Sequence, residues 1–148
     1  MDAYIPLIST SSTGPLGVVH LPRLWLKLLL ADKGMLEEGY RAGEGGFDGL
    51  LLDTLGVAVK DIRAFVSESR PDYLAFENWV KENARPESLT ESAIKAFNQK
   101  VLSFLKPEPM RSEQLAALAL PEDDTTWTGT DLNDLEDWWS FHRALLAE

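Results

Sequence analysis

The chain has no cysteine, which excludes disulfides, thiolate metal sites and any Cys–His nucleophilic pair. Its two histidines, His20 and His142, stand near opposite ends, and neither lies in a His-Glu-x-x-His or comparable metal-binding spacing. A Ser–His–acid set could draw on the Ser9–Ser12 cluster and His20, but no Gly-x-Ser-x-Gly turn arranges one. No catalytic residue, metal ligand or cofactor site is therefore assigned. Long apolar runs are also missing. The longest, near Leu21–Ala31, is broken by Lys27 and falls short of the ~20 residues a membrane span needs. Met1-Asp2-Ala3-Tyr4 carries no basic start of the kind a secretory signal shows. These absences make a cytoplasmic protein without membrane contact the expectation.

Basic residues are scarce. Lys and Arg number 14 against 24 Asp and Glu, for a net charge of −10. The excess sits late: residues 107–148 hold 2 basic and 10 acidic side chains, whereas residues 1–106 hold 12 and 14. Such a surface repels phosphate backbones, which argues against nucleic-acid binding; an acidic inhibitor or nucleic-acid mimic would rest on the tail alone. Asp131, Asp134, Glu136 and Asp137 do not form a calcium loop. Glu136 stands where an EF-hand needs Gly, and His142 where it needs Glu. The macrodipole favours acidic residues near a helix start, which accounts for them.

What is present reads as helix. The chain has 148 residues, 45% of them hydrophobic and five of them Trp, enough for one domain with a proper core. Residues 1–20 read as extended or irregular, with the turn-rich Ser9–Pro15 stretch among them. Helical spacing then predicts segments near 21–33, 47–55, 59–67 and 71–83, and another behind a Ser88–Glu91 capping box. In that last segment Ile94, Phe97, Val101, Phe104 and Leu105 share a face, and Pro107 ends it. Helices near 112–120 and 132–147 follow. No window alternates with period two and no repeat is apparent. The fold class is all-α: a single compact multi-helix domain with a short irregular N-terminal arm.

The segment His20-Leu21-Pro22-Arg23-Leu24-Trp25-Leu26-Lys27 is the most informative. Pro22 can open a helix and Gly34 can close it. Nearly every position between is apolar, yet Arg23 and Lys27, four apart, share one face. Two cations at the start of a buried helix oppose the macrodipole and must be paired or reach water. One answer is an internal ion pair, with Asp48, ahead of Asp53, as the expected partner of Arg23. The other is a small anion site completed by N–H groups around Gly45 and Gly46, in the Gly43–Gly46 loop that feeds a helix start. That loop matches neither Gly-x-Gly-x-x-Gly nor a P-loop.

The last helix carries Leu135, Trp139, His142 and Leu146 as an apolar stripe, widened by Trp138 and Leu145. The stripe is broader than a terminal helix packed along one side needs, and Trp is enriched at interface hot spots. Trp138, Trp139, His142, Leu145 and Leu146 are accordingly the expected interface of a homodimer or of a contact with another protein.

Gly17-Val18-Val19-His20-Leu21-Pro22-Arg23 with Lys27, then Phe47-Asp48-Gly49, Leu55-Gly56-Val57 and Trp79-Val80, resembles an uncharacterised bacterial family. It is catalogued only as a domain of unknown function, number 5069. The resemblance covers about residues 14–105 and implies a small helical protein without supplying an activity or cofactor. It divides the chain into an arm (1–13), a helical family core (14–106) and an acidic, Trp-rich helical extension (107–148), packed on the core or on a partner. The leading expectation for function is a small non-enzymatic interaction module that self-associates. The alternative is a binding protein or enzyme for a small phosphate- or carboxylate-bearing metabolite, using Arg23, Lys27 and the Gly43–Gly46 loop.

Overall fold

The computed structural model describes residues 3–147. Its helices are α1 (Leu21–Asp32), α2 (Gly46–Leu55), α3 (Val59–Ser69), α4 (Tyr73–Asn83), α5 (Glu91–Leu102), α6 (Met110–Ala117) and α7 (Gly129–Leu146). No strand occurs among the described residues; one isolated bridge joins Tyr4 to Leu36. The all-α expectation of one compact domain holds.

Helix α1 lies at the centre. Leu21, Leu24 and Leu28 are buried along one side, against Leu51, Leu52 and Leu55 of α2, Ile62 and Val66 of α3, and Phe76 and Val80 of α4. Phe97 and Val101 of α5 close the same core. Each helix contributes residues three or four apart, the geometry that turns a 3.6-residue period into a buried stripe. Burying a Leu or Phe side chain contributes roughly 1.5–3 kcal/mol, so this cluster dominates the stability of the fold.

The N-terminal arm is irregular but firmly held. Glu77 is buried on α4, accepting from the Leu16 backbone N–H at 3.1 Å and from the Tyr73 hydroxyl at 2.8 Å. Asn98 on α5 accepts from Val19 N–H and donates to the Gly17 carbonyl. Side chains thus supply the partners that a strand ladder would otherwise give this backbone.

Several local expectations are corrected. The cap of α5 is Thr90, which accepts from Ala93 N–H, while Ser88 donates to the Arg85 carbonyl within a short 3-10 turn at Pro86–Leu89. Helix α5 stops at Leu102, leaving Phe104 and Leu105 off its face and exposed. Phe104 turns away to meet Phe47 edge-on at 5.6 Å, and its carbonyl accepts from Gly129 N–H at 2.8 Å. A tertiary contact therefore outbids another turn of helix. Helix α7 starts three residues before the expected position, because Thr128 and Asp131 form a reciprocal capping box.

The stripe expected on α7 is not the face it buries. Gly129, Thr130, Leu132 and Asp137 are buried, whereas Trp138, Trp139, His142, Leu145 and Leu146 are exposed and Leu135 is half-buried. The helix docks through its N-terminal half and along the edge that carries Asp137. The reason lies in what Asp137 meets.

Candidate functional site

Helix α1 begins at a strained residue. His20, its N-cap, has φ 72° and ψ −22°, the left-handed region a non-glycine residue rarely occupies and then at a cost of order 1–3 kcal/mol. The conformation is held from both ends of the imidazole. Nε2 lies 2.5 Å from Asp48 Oδ1, and Nδ1 lies 3.0 Å from the Thr10 hydroxyl. A carboxylate can only accept, so Nε2–H donates to Asp48 and the neutral ring accepts at Nδ1 from Thr10. Burial lowers the His20 pKa against the pull of Asp48, in keeping with the neutral tautomer.

Asp48 sits in the first turn of α2, and its second oxygen, Oδ2, accepts from Lys27 Nζ at 2.8 Å and from Gly43 N–H at 2.8 Å. Burial opposes its charge, but the His20 hydrogen bond and the neighbouring cations prevail and hold the carboxyl at about 2. Burial lowers Lys27 despite Asp48.

A second buried network lies beside the first. Arg23 Nη1 donates to Asp137 Oδ2 at 2.5 Å, and Nη2 donates to Asp137 Oδ1 at 3.2 Å. Nη1 also reaches the carbonyls of Pro6 at 2.8 Å and Ile8 at 2.9 Å. Tyr40 donates its hydroxyl to Asp137 Oδ1 at 2.9 Å, and burial together with Asp137 pushes the phenol pKa up. Arg23 is thus enclosed between the arm, α1 and α7. Its partner is Asp137, not Asp48; Asp48 serves Lys27 and His20, and Asp53 is exposed.

Both networks form the floor of one cavity of about 540 Å³, within the usual range for small-molecule sites. Its glycine side is Gly45 and Gly46 at the start of α2, where no side chain caps the helix. Gly45, at φ 67°, leaves room for Arg41, whose Nη2 would lie 3.0 Å from a β-carbon placed there. Phe47, Leu50, Phe104 and Met110 line the apolar side, and Lys106 and Glu136 complete the polar rim.

The four residues nominated for ligand binding, Arg23, Lys27, Gly45 and Gly46, therefore come together on this one cavity. The two cations are engaged by carboxylates, which the anion-site expectation did not include. Tyr40, Lys106, Asn133 and Asp137 line the same space and were not nominated; Asp137 lies 114 positions from Arg23, a contact no periodicity records. The nominated interface residues lie elsewhere. Trp138, Trp139, His142, Leu145 and Leu146 are exposed on the last turns of α7 and none lines the cavity. Among the described residues no group of three His, Asp or Glu side chains is gathered as a metal site, and no helix is long and apolar enough to cross a membrane.

The model of a family described as a domain of unknown function (DUF5069) matches residues 11–138, and the chain belongs to that family. The matched span runs past Lys106 through α6 and into α7, so it takes in Asp137 as well as Arg23. No curated protein and no solved structure matches the chain.

Proposed function

We propose that this member of the DUF5069 family binds a small anionic metabolite in the cavity between α1, α2 and α7. The observation that carries this reading is the cavity floor. The buried Arg23–Asp137 pair, the Lys27–Asp48 pair and the strained His20 all line one opening. A fold does not need such groups for stability, since replacing a buried ion pair by apolar residues is often neutral or stabilising. Strained backbone and perturbed titratable groups concentrate at functional sites.

The placement of the cations supports an anion. Arg23, Lys27, Arg41 and Lys106 line the cavity against Glu44, Asp48, Glu136 and Asp137. Glu44, however, is paired outside with Arg63 at 3.3 Å. The lining is charge-balanced in a chain whose net charge is −10, and among the described residues Arg41 and Lys106 are its cations with no carboxylate within ion-pair distance.

Thermal unfolding in the presence of inorganic phosphate, a sugar phosphate, citrate and octanoate tests the reading. At least one of these anions is expected to raise the melting temperature in proportion to log concentration. Arg41→Glu, an exposed change on the rim, should weaken that shift. No shift with any of the four overturns the proposal.

A second reading concerns the end of α7. Trp138 is 61% exposed and Leu146 67%, and Trp139, Phe141 and Leu145 are exposed beside them. Clustered large apolar groups of this kind mark interaction surfaces. We propose that this end of the helix packs against a second copy of the chain, because a two-fold contact lets one apolar patch cover itself.

A further inference from the structure

Lys106 is held unlike the other buried cations. It follows α5, is half-buried, and its Nζ donates to Gln114 Oε1 at 2.6 Å and to Asn133 Oδ1 at 2.8 Å. Both acceptors are neutral amides. No carboxylate lies within ion-pair distance of it among the described residues. The nearest in influence is Glu136, and Gln114 stands between them: its oxygen accepts from Lys106 while its Nε2 donates to Glu136 at 2.5 Å. The ammonium is thereby fixed in direction by two amides without being neutralised. An ammonium has three hydrogens, so one remains beyond those given to the amides. Burial lowers the Lys106 pKa, with Glu136 acting against it.

The wall beside it is apolar. Phe47 and Phe104 meet edge-on at 5.6 Å, and Phe104 and Met110 remain exposed on the cavity. A fixed ammonium beside an uncovered aromatic and thioether wall fits a ligand with one charged end and an apolar body. Arg23 and Lys27 are already engaged by Asp137 and Asp48, so the hydrogen left on the Lys106 ammonium suits a single carboxylate. We infer that Lys106, oriented by Gln114 and Asn133, anchors the carboxylate of a ligand whose aliphatic or aromatic body lies along Phe47, Phe104 and Met110. This rests on the cavity being an anion site, and it names the class of anion and the group that receives it.

Titration calorimetry on the full chain with octanoate, octanol and inorganic phosphate separates the outcomes. Octanoate is expected to bind saturably, one per chain, and octanol at least about tenfold more weakly, as fits the loss of a charge-assisted hydrogen bond. Lys106→Gln should weaken octanoate by about the same factor and leave octanol unchanged. Asn133→Asp keeps the lysine but places a carboxylate on it, and should weaken octanoate equally; it serves where the lysine variant fails to fold. Equal binding of octanoate and octanol, or unchanged octanoate affinity in a folded variant, overturns the inference. If phosphate still binds and Arg41→Glu weakens it, the anion-site reading survives that failure. If neither anion binds, this inference falls, and the anion-site reading falls with it when citrate and the sugar phosphate also leave the melting temperature unchanged.

Discussion

Arg23 and Asp137, 114 residues apart in sequence, close a two-point ion pair from which water is nearly excluded, with Arg23 4% exposed and Asp137 3%. The pair ties α7 to the start of α1 and explains why α7 buries an acidic edge while its tryptophans face outward. Removing one member leaves an uncompensated buried charge, so Asp137→Ala should destabilise the fold by about 3–5 kcal/mol. Arg23→Met with Asp137→Leu should recover most of that loss, and the double-mutant cycle should show strong coupling. Urea unfolding measures both; a cost below about 1 kcal/mol for Asp137→Ala would mean the pair is not buried as described.

The need for such a partner was legible in the sequence; its identity was not. Arg23 and Lys27 on an apolar helix demanded carboxylates, and Asp48 could be nominated because it lies in the next helix. Asp137 gave no such signal. In the sequence it belongs to an acidic run that the macrodipole accounts for, although α7 begins at Gly129 and Asp131 is the acidic residue of its first turn; Leu135, Trp139 and Leu146 outline a more conventional buried stripe. Hydrophobic periodicity assumes that a helix docks by its apolar face. Here Arg23 and Tyr40 recruit the polar edge instead. Phe104 shows the same limit, since its spacing continues α5 while its contacts with Phe47 and Gly129 end the helix at Leu102.

His20 and Asp48 give the fold a specific pH dependence. His20 faces Asp48 and Thr10 directly, with Lys27 and Arg23 nearby, and its pKa is lowered from 6.5 by burial. Below that value the unfolded chain takes up a proton that the native ring resists, so stability falls as pH drops. Asp48 acts further down: its contribution is full above 3.8 and is lost as pH falls toward about 2, a span worth about 2 kcal/mol. Urea midpoints from about pH 7.5 to about pH 4.5 should therefore decline in the native chain. His20→Asn should remove part of that slope. Parallel pH profiles for the two proteins would show that His20 does not titrate differently on folding.

Gly43 should be among the least replaceable positions around the site. Its φ is +87°, and a β-carbon there would lie 2.6 Å from Val59 Cγ2. Its N–H is also one of the donors to Asp48. Gly43→Ala adds left-handed strain to steric overlap, for a loss of about 2 kcal/mol or more. Gly46, also at positive φ but with nothing near a β-carbon, should lose less on the same change. Chemical denaturation of the two variants compares them; equal losses would leave only the backbone strain common to both.

The exposed end of α7 makes the final prediction. Trp138, Trp139, Leu145 and Leu146 form no part of the cavity or the main core, so charge introduced there should leave folding nearly untouched. Surface substitutions away from structural features usually change stability by no more than about 0.5 kcal/mol. If a second copy covers this patch, Leu145→Glu with Leu146→Glu must convert a dimer to a monomer, because each charge would be buried twice across a two-fold contact. Sedimentation equilibrium of the full chain and of this double variant reads the change. The native chain is expected to sediment as a dimer and the variant as a monomer, with matching unfolding midpoints once the concentration dependence of the dimer is accounted for. A native chain that sediments as a monomer throughout the accessible concentration range rules out self-association through α7. A variant that remains dimeric assigns the contact to another face of the molecule.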